Sequence, residues 1–306
     1  MYSHHRHNEV NLNLGFVKAN YSNENVRANF ALMAGTYANS NLIEEPGVLK
    51  NILEANAGVK ISKTKNLWVD AGIFSSHIGF ESAIGKDCWN LTRSILADNS
   101  PYYESGVRLS YTTDNEKLII NGFVLNGWQR IQRVNENNSV ALGHQVIFKP
   151  NDKTTLNSSS FIGSVTPDSN RLMRYFHNLY GQFQFNQTFG LIAGFDLGVQ
   201  EKSKTSSELF VWYSPVVIAK YSLSEKVNLS ARVEYYNDKD QTIIATGTQN
   251  GFQTYGYSVN FDYSISENAL WRIEGRMLNS KDKIFIQDLQ PDTKNYLLTS
   301  SLAISF

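Results

Sequence analysis

The sequence lacks the features that stabilise small secreted domains and helical membrane proteins. It contains one cysteine, Cys88, so no disulfide can form within the chain. No run of about 18 apolar residues occurs, which excludes a transmembrane helix. The 28 basic and 28 acidic residues cancel, so there is no positive surplus of the kind that marks a nucleic-acid-binding protein.

The first residues also lack something. Met1 to His7 has no apolar core of the kind found in a signal peptide. An exported protein carries such a peptide before processing. We therefore expect either a mature chain or a chain whose true start is missing.

The clearest strand pattern lies in the last eleven residues. Their apolar side chains share one parity, interrupted only by Ser300: Leu298, Leu302, Ile304 and Phe306. The other parity is small or polar: Thr299, Ser301, Ala303 and Ser305. Successive side chains of a strand point to opposite faces, so this segment has one apolar face. A strand that ends on an aromatic residue is typical of the closing strand of an outer-membrane barrel, where Phe306 would be the signal read by the assembly machinery. An ordinary amphipathic edge strand is the alternative.

The same two-residue period recurs along the chain and predicts half-buried strands. Val107 and Leu109 alternate with Arg108 and Ser110, for example, and similar segments run from residue 53 to 61, from 189 to 198 and from 255 to 263. The first such segment alternates Val10, Leu12, Leu14 and Phe16 with polar residues and glycine.

The connections between these segments alternate in length. Short polar turns near Ser22, Asp114 or Ser224 are followed by longer stretches, of which 75–101 is the longest. One short end and one long end fit an outer-membrane barrel with periplasmic turns and extracellular loops. A strand of about twelve residues, tilted by about 45°, has the height of an apolar bilayer band.

Soluble all-β folds explain the pattern less well. A propeller requires a repeat of about 40 residues, and none is found. A sandwich requires hydrophobic cross-connections, whereas these connections are polar. The polar faces carry Arg, Glu, Asp and Lys, which cannot form a packed interior without partners. Lipid would cover the apolar faces, and closure would remove the open edges. The sequence therefore predicts one domain, residues 1–306, forming an all-β transmembrane antiparallel β-barrel.

Three stretches also resemble a known family. Residues 67–82 and 88–111 read LWVDAGIFSSHIGFES and CWNLTRSILADNSPYYESGVRLSY, and residues 7–21 read HNEVNLNLGFVKANY. They resemble the OmpL-like β-barrel porins of Bacteroidetes. The resemblance implies an outer-membrane pore with no cofactor and no catalytic residues.

The long connection 75–101 is the best candidate for a functional element, because long loops in compact proteins tend to be functional or disordered. Its middle, from Glu81 to Ala97, has the pattern of a short amphipathic helix. We expect it to fold into the lumen and form a constriction, although it could instead cap the barrel outside. The constriction candidates in the loop are Glu81, Lys86, Asp87 and Arg93, facing Asp70, Glu104, Arg108 and Arg27 on strands. The predicted pore-lining residues are Glu54, Lys60, Arg232, Glu234, Arg272, Glu274 and Arg276.

The remaining chemistry-bearing residues favour no catalytic or metal site. His4, His5 and His7 fit a solvated segment better than a metal site, and Cys88 fits a packed thiol. His144 lies on the apolar parity of its segment with no serine motif nearby, which argues against an outer-membrane phospholipase. Aromatic residues at strand ends fit interfacial girdles better than a sugar-stacking slide: Trp68, Trp128, Tyr235, Tyr236, Tyr255 and Phe306.

These observations predict a bacterial outer-membrane porin that lets small polar solutes and ions diffuse through a water-filled lumen. A non-conducting barrel with a structural or binding role is the main alternative, and an embedded hydrolase dependent on His144 is the other. The expected partners are outer-membrane lipid, the solutes, the barrel assembly machinery and further copies of the chain. The transported solute is left open.

Strand direction gives one more expectation. About fifteen strands are visible, and both Glu9–Tyr21 and the last strand should descend to the periplasm. Two strands running the same way cannot pair antiparallel, as an even-numbered bacterial barrel requires. We therefore expect a sixteenth strand before residue 1, and parallel neighbours or an unpaired gap between the two ends.

Overall fold

The chain forms one antiparallel sheet in which consecutive strands are neighbours. The structure, a computed structural model, describes residue 4 and residues 6–306. The sheet has 15 strands in the order β1 to β14 followed by β17, and β15 and β16 form a separate hairpin. The strands are β1 Gly15–Ser22, β2 Val26–Ala34, β3 Ile52–Lys60, β4 Asn66–Ser75, β5 Tyr103–Thr112, β6 Leu118–Leu125, β7 Ala141–Asn151, β8 Thr154–Ser164, β9 Met173–Gln184, β10 Phe189–Glu201, β11 Leu209–Ser222, β12 Val227–Asp238, β13 Phe252–Ser266, β14 Ala269–Ser280, β15 Phe285–Gln287, β16 Gln290–Asp292 and β17 Lys294–Ile304.

Helical structure is confined to the long connections. It comprises α1 Thr36–Asn41, α2 Ile95–Asp98 and 3₁₀ turns at Gly47–Asn51, Gly85–Asp87 and Asp168–Asn170. Among the described residues no helix is long and apolar enough to cross a membrane. The amphipathic helix expected over Glu81 to Ala97 is wrong, since only the short α2 and one 3₁₀ turn form there. Amides in this stretch, such as those of Thr92 and Ile95, donate to glutamates of the sheet instead of to helical carbonyls.

Short and long connections lie at opposite ends of the sheet, as expected of an outer-membrane barrel. Asparagine side chains form the short turns by replacing backbone partners. The Asn23 carbonyl Oδ1 accepts the Val26 amide at 2.7 Å, and Asn186 Oδ1 accepts the Phe189 amide at 2.8 Å. We refer to the short-connection end as periplasmic and to the long-connection end as extracellular.

The sheet is apolar on its exposed face and polar on its buried face. Leu109 and Val259 are 46% and 62% exposed, whereas Glu274 and Asn260 are almost fully buried. A water-soluble protein would show the reverse arrangement. The exposed face therefore suits lipid, and the polar face surrounds a lumen. This confirms the predicted fold class.

The predicted parity is wrong in the first segment. β1 begins at Gly15, and Val17, opposite Leu32, lies on the outer face, whereas Phe16, opposite Met33, lies on the lumen face. Leu12 lies outside the strand, and its carbonyl accepts the Thr36 amide at 2.9 Å. Two consecutive apolar residues, Phe16 and Val17, make the alternation ambiguous, and pairing with β2 decides it.

The two ends of the sheet do not pair within the described part of the chain. β1 and β17 both run toward the periplasmic end, and no ladder joins them. This matches the expected unpaired gap and the expected count of about fifteen strands. The sixteenth strand stays a prediction.

The inverted faces lead to a first test with two adjacent residues of β5. Leu109→Arg should destabilise the barrel in lipid by about 2–4 kcal/mol, because it places a charge on the lipid-facing wall. Ser110→Arg should cost far less, because Ser110 faces the lumen beside Asn121 and Trp68. Reversible urea unfolding in phospholipid vesicles measures both values. Equal costs would contradict the assignment of the two faces.

Candidate functional site

The connection 76–102, called here the inner segment, lies inside the barrel. His77 Nε2 donates to the Ser160 carbonyl at 2.8 Å, and the Gly79 amide donates to Asn178 Oδ1 at 3.2 Å. These partners belong to β8 and the lumen face of β9. Further along, the Leu91 amide donates to Asn260 on β13 at 3.1 Å. The inner segment therefore crosses the lumen from β4 to the opposite wall.

The beginning of the inner segment is fixed by His77. Its ring stacks on Phe123 with centroids 4.1 Å apart, and its carbonyl accepts Gln145 Nε2 at 2.8 Å. Burial lowers the pKa of His77 to about 4, so the ring is neutral at neutral pH. A neutral, stacked histidine acts here as a packing residue.

The tip of the inner segment reaches the periplasmic end. Lys86 Nζ donates to Ser305 Oγ at 3.0 Å. Asp87 lines a depression of about 240 Å³ with Glu267 and Asn268 of the β13–β14 turn. Lys86 and Asp87 are therefore at the rim and do not face Asp70 or Arg108, so the predicted placement of these two residues is wrong.

A group of charged residues on β12, β13 and β14 holds the middle of the inner segment. We call it the anchor cluster; its members are Arg232, Glu234, Asp262, Arg272, Glu274 and Arg276. Three are basic and three are acidic, so the cluster is formally neutral, and every member is buried. A buried charge is tolerated only with close partners, and each member has them.

Thr92 sits at the centre of these contacts. Glu274 accepts the Thr92 amide at 2.6 Å and the Thr92 hydroxyl at 2.9 Å. Arg232 donates to the Thr92 carbonyl at 2.7 Å and to Glu274 at 3.0 Å. Every polar group of this one threonine is therefore bound by the barrel wall.

The other members bind the backbone on either side. Glu234 accepts the Ile95 amide and the Arg276 guanidinium, both at 2.6 Å. Arg276 also donates to the Arg93 carbonyl at 2.9 Å. Arg272, paired with Asp262 at 2.7 Å, donates to the Gly85 carbonyl at 2.7 Å and the Cys88 carbonyl at 2.9 Å. The arginines thus donate to backbone carbonyls of the irregular inner segment that would otherwise need water as a partner.

This arrangement corrects the predicted pore lining. Five predicted residues do point into the barrel, but the inner segment covers them: Arg232, Glu234, Arg272, Glu274 and Arg276. The two remaining residues, Glu54 and Lys60, lie half-buried on the lumen face of β3. Sequence parity alone cannot distinguish a covered side chain from one that faces water.

The charged residues Glu81 and Arg93 of the inner segment form hydrogen bonds with the backbone of that same segment. Glu81 accepts the Ser94 amide at 3.0 Å and lies 3.8 Å from Arg232. Arg93 donates to the carbonyls of Ser82 and Ala83 at 2.5 and 3.0 Å. Glu81 and Arg93 were predicted to face Asp70, Glu104, Arg108 and Arg27, and this is wrong. The anchor cluster attracts the segment to the far wall.

Arg27, Asp70 and Arg108 form a separate charged group on the lumen face of β2, β4 and β5. Arg27 Nε and Nη2 donate to the two Asp70 oxygens at 2.6 and 2.5 Å, and Arg108 Nε donates to Asp70 Oδ2 at 3.1 Å. Gly58 on β3 lies between Arg27 and Asp70 in the same row. A Cβ at Gly58 would overlap with Asp70 Oδ1, so glycine is needed for Arg27 to reach across.

The rest of this wall is also basic. Lys18 pairs with Glu54 at 2.5 Å, and Lys60 has no carboxylate partner among the residues described. Glu104 is fully buried in the extracellular part of β5, and its carboxylate has no described hydrogen-bond partner. The water-accessible wall from β1 to β5 therefore carries four cations, Lys18, Arg27, Lys60 and Arg108, against the carboxylates of Glu54 and Asp70.

Apolar side chains form two clusters at the extracellular end. One cluster joins the inner faces of nine strands with the inner segment and includes Phe74, Ile78, Ile95, Phe123, Phe161, Phe176, Trp212, Tyr236 and Phe252. A second cluster packs α1 onto β2 to β5. Tyr236 and Trp68 face inward and are buried, and Trp128 packs on Phe161, so assigning these three to an interfacial girdle is wrong. Tyr235 and Tyr255 pack against each other on the outer face with ring centroids 4.5 Å apart, as a girdle requires.

The outer wall carries one polar group that sequence reasoning missed. His144 Nδ1 lies 2.6 Å from Ser160 Oγ, and His177 Nε2 lies 3.2 Å from Ser158 Oγ. All four side chains face outward from β7, β8 and β9. Register pairs His144 with Ser160, which are 16 residues apart, so no local motif could indicate it.

The other histidines and the cysteine form no ligand group. His7 is exposed, as expected of a solvated segment, whereas His4 is half-buried, and His5 lies outside the described residues. The described part of the chain has no cluster of three metal-ligating side chains. Cys88 Sγ accepts the Ser82 amide at 3.2 Å, and burial raises the pKa of its thiol. This is a packed, protonated thiol.

A lipid-facing antiparallel sheet around a polar lumen, with a long connection folded inside, defines an outer-membrane porin. The family model described as Putative beta-barrel porin-2, OmpL-like matches residues 1–306, and the chain belongs to this family of the bacterial outer membrane. No curated protein matches.

Solved structures share the fold at low identity. The anion-selective porin from Comamonas acidovorans has a TM-score of 0.61 at 9% identity, covering 95% of this chain and 85% of that chain. OmpT of Vibrio cholerae in its trimer form has 0.56 at 11%, covering 94% and 88%. The outer membrane channel DcaP of Acinetobacter baumannii has 0.58 at 9%, covering 94% and 84%.

Proposed function

We propose that this porin lets small anionic solutes diffuse passively along the β1–β5 side of its lumen, while the inner segment restricts the remaining space. The excess of basic side chains on that wall carries the proposal. Charges lining a pore set ion preference through their local field. Asp70 is fully buried and Glu54 is only 16% exposed, so a passing solute meets mainly Lys18, Arg27, Lys60 and Arg108.

The neutral anchor cluster does not oppose this field. Its three arginines and three carboxylates cancel, and the inner segment separates them from water. The segment itself is the natural restricting element, because its backbone lies against the wall at several heights of the barrel. The inner segment thus narrows the pore, whereas the basic wall of β1 to β5 sets its ion preference.

A second candidate has its own support. The apolar clusters fill part of the lumen at the extracellular end, which is compatible with a closed barrel. A permanently closed barrel would serve as a structural or binding protein at the cell surface. The two candidates differ in whether discrete currents occur at all.

Planar-bilayer recording tests the proposal. In a KCl gradient the wild type should show discrete current steps. Its reversal potential should lie closer to the Nernst potential of chloride than to that of potassium. The double variant Lys18→Glu/Lys60→Glu should shift that potential toward potassium, more strongly at low salt because screening is weaker there. Lys65→Glu is the matched control, since Lys65 lies exposed in a periplasmic turn beside Asp114. Cation preference in the wild type contradicts the proposal, and absence of steps supports a closed barrel.

We also propose that the barrel is not an enzyme and needs no cofactor. The only described serine–histidine contacts outside the lumen, between His144, Ser158, Ser160 and His177, lie within regular ladders of β7, β8 and β9. The backbone amides there are engaged in sheet pairing, which leaves no donor pair to stabilise an oxyanion. A hydrolase would need such a pair.

The proposed partners follow from the surfaces. The apolar outer face contacts lipid, and Phe306, fully exposed on the face of Leu302 and Ile304, is a suitable signal for the assembly machinery. The trimer form of OmpT of Vibrio cholerae, which shares the fold, and the polar outer wall near His144 support a homo-oligomer. The motifs in residues 67–111 support an origin in Bacteroidetes. The balanced charge gives no basis for nucleic-acid binding.

A further inference from the structure

Arg27 and Arg108, called here the arginine pair, share a single carboxylate. Both guanidinium groups donate to the same oxygen, Asp70 Oδ2, at 2.5 and 3.1 Å. Two positive charges and one negative charge leave a surplus of one positive charge. Neighbouring like charges are unfavourable unless an anion offsets them, so the group is electrostatically suited to a second carboxylate.

The arginine pair keeps N–H donors that can bind such an anion. Arg27 contacts Asp70 through its Nε and Nη2 atoms, and Arg108 contacts it through its own Nε and Nη2 atoms. The two Nη1 groups have no hydrogen-bond partner among the residues described. The side chains are 29% and 27% exposed, whereas Asp70 is fully buried beneath them. Both arginine side chains therefore remain partly accessible to water and solutes.

The pair is also held in place before any solute arrives. The guanidinium carbon of Arg27 lies 4.5 Å from the Trp68 ring centroid, and that of Arg108 lies 5.4 Å from the Phe74 ring centroid. Stacking and the bonds to Asp70 restrict both side chains, and Gly58 leaves the space that they need. A preorganised site loses less entropy on binding than a flexible one.

We propose that the arginine pair is a binding site for the carboxylate of a solute passing through the lumen. A planar guanidinium matches the two oxygens of a carboxylate, as its contact with Asp70 already illustrates. A monocarboxylate balances the single surplus charge, whereas a phosphate dianion would overcompensate it. The site rests on the proposed function and adds saturable binding of organic anions to simple diffusion.

Propionate is the probe. Single-channel conductance in potassium propionate should saturate with concentration, and propionate should reduce the chloride current in KCl. Arg108→Gln should raise the half-saturating propionate concentration about tenfold or more, because a charge-assisted hydrogen bond is lost. Asp70 keeps its bidentate bond to Arg27 in this variant, so the wall remains paired. Lys65→Gln removes one charge at an exposed turn and should leave the half-saturating concentration unchanged.

Arg108→Lys separates binding from general attraction. It keeps the charge and loses the planar donor group, so anion preference should persist while half-saturation weakens. Wild-type half-saturation in this variant, or conductance that rises linearly with propionate in the wild type, would overturn the binding site and leave the porin proposal intact. Absence of any current would refute the porin proposal instead.

A binding measurement independent of current completes the test. Refolded protein in detergent should show a saturable change of tryptophan fluorescence with propionate, since Arg27 stacks on Trp68. The change should be absent in Trp68→Phe and weakened in Arg108→Gln. No saturable change in the wild type, or tighter binding of phosphate than of propionate, would overturn the carboxylate assignment.

Discussion

Deletion of residues 81–97 should raise the single-channel conductance at least about twofold, because the inner segment occupies lumen that water would otherwise fill. The stretch contains Thr92, Ile95 and the tip beside Ser305, which together contact β12, β13, β14 and the periplasmic rim. Conductance follows the open cross-section. The expected result is therefore larger steps in planar bilayers.

The same deletion should leave anion preference nearly unchanged. It uncovers Arg232, Arg272 and Arg276 together with Glu234, Asp262 and Glu274, and these six charges cancel. Water can solvate them once the segment is gone, so the barrel does not retain unpaired charges in a dry interior. The basic wall at Lys18, Arg27, Lys60 and Arg108 remains and continues to set the reversal potential.

A deletion outside the lumen provides the control. Residues 203–206 belong to the exposed connection between β10 and β11, and removing them should leave conductance at the wild-type value. Both variants must first show the heat-resistant gel mobility of a folded barrel. If the 81–97 deletion folds and conducts like the wild type, the inner segment does not restrict the pore.

The fold could be predicted from sequence because the membrane imposes a period of two. Leu109 and Val259 were expected on the lipid face, and Arg108, Ser110 and Asn260 on the other, and the structure agrees. Alternation depends only on neighbouring residues and not on the position of distant strands. It fails where two apolar residues are adjacent, as at Phe16 and Val17.

The site could not be predicted because it depends on contacts across the lumen. Thr92 meets Glu274, which is 182 residues away, only when the sheet curves far enough to bring β14 beside the inner segment. Arg27 reaches Asp70 because Gly58 has no side chain, which requires the register of three strands. Tyr235 and Tyr236 are adjacent in sequence, yet one faces lipid and the other the apolar cluster. Such contacts follow from the curvature of the sheet and from the register of its strands.

Loss of Arg232 should release the inner segment while the barrel stays folded. Arg232 binds the Thr92 carbonyl at 2.7 Å and lies 3.0 Å from Glu274 and 3.2 Å from Glu234. In Arg232→Gln, Glu234 keeps its pair with Arg276, whereas Glu274 has no salt-bridge partner left among the described residues. Breaking a buried ion pair by removing one partner costs about 3–5 kcal/mol. Moving the segment away from the wall hydrates both carboxylates and relieves that cost.

The release has a local signature. Hydrogen exchange at the Thr92 and Ile95 amides should accelerate strongly, because both donate to glutamates that have lost a cation. Strand amides of β12 to β14 should keep their protection, since their ladders are intact. Bilayer currents should become noisy as the segment moves, with transient steps approaching those of the 81–97 deletion.

Two variants make this expectation specific. Arg232→Gln/Glu274→Gln removes a cation and an anion together, so part of the protection at Ile95 should return, and the double-mutant cycle gives the coupling energy of the pair. Lys220→Gln also removes a cation near the segment, but its ammonium only stacks on Trp89 at 4.7 Å and is partly hydrated. Its effect should be about 1 kcal/mol or less. If exchange at Thr92 and Ile95 is as slow in Arg232→Gln as in the wild type, the anchor cluster does not hold the segment, and its charges serve only to satisfy one another.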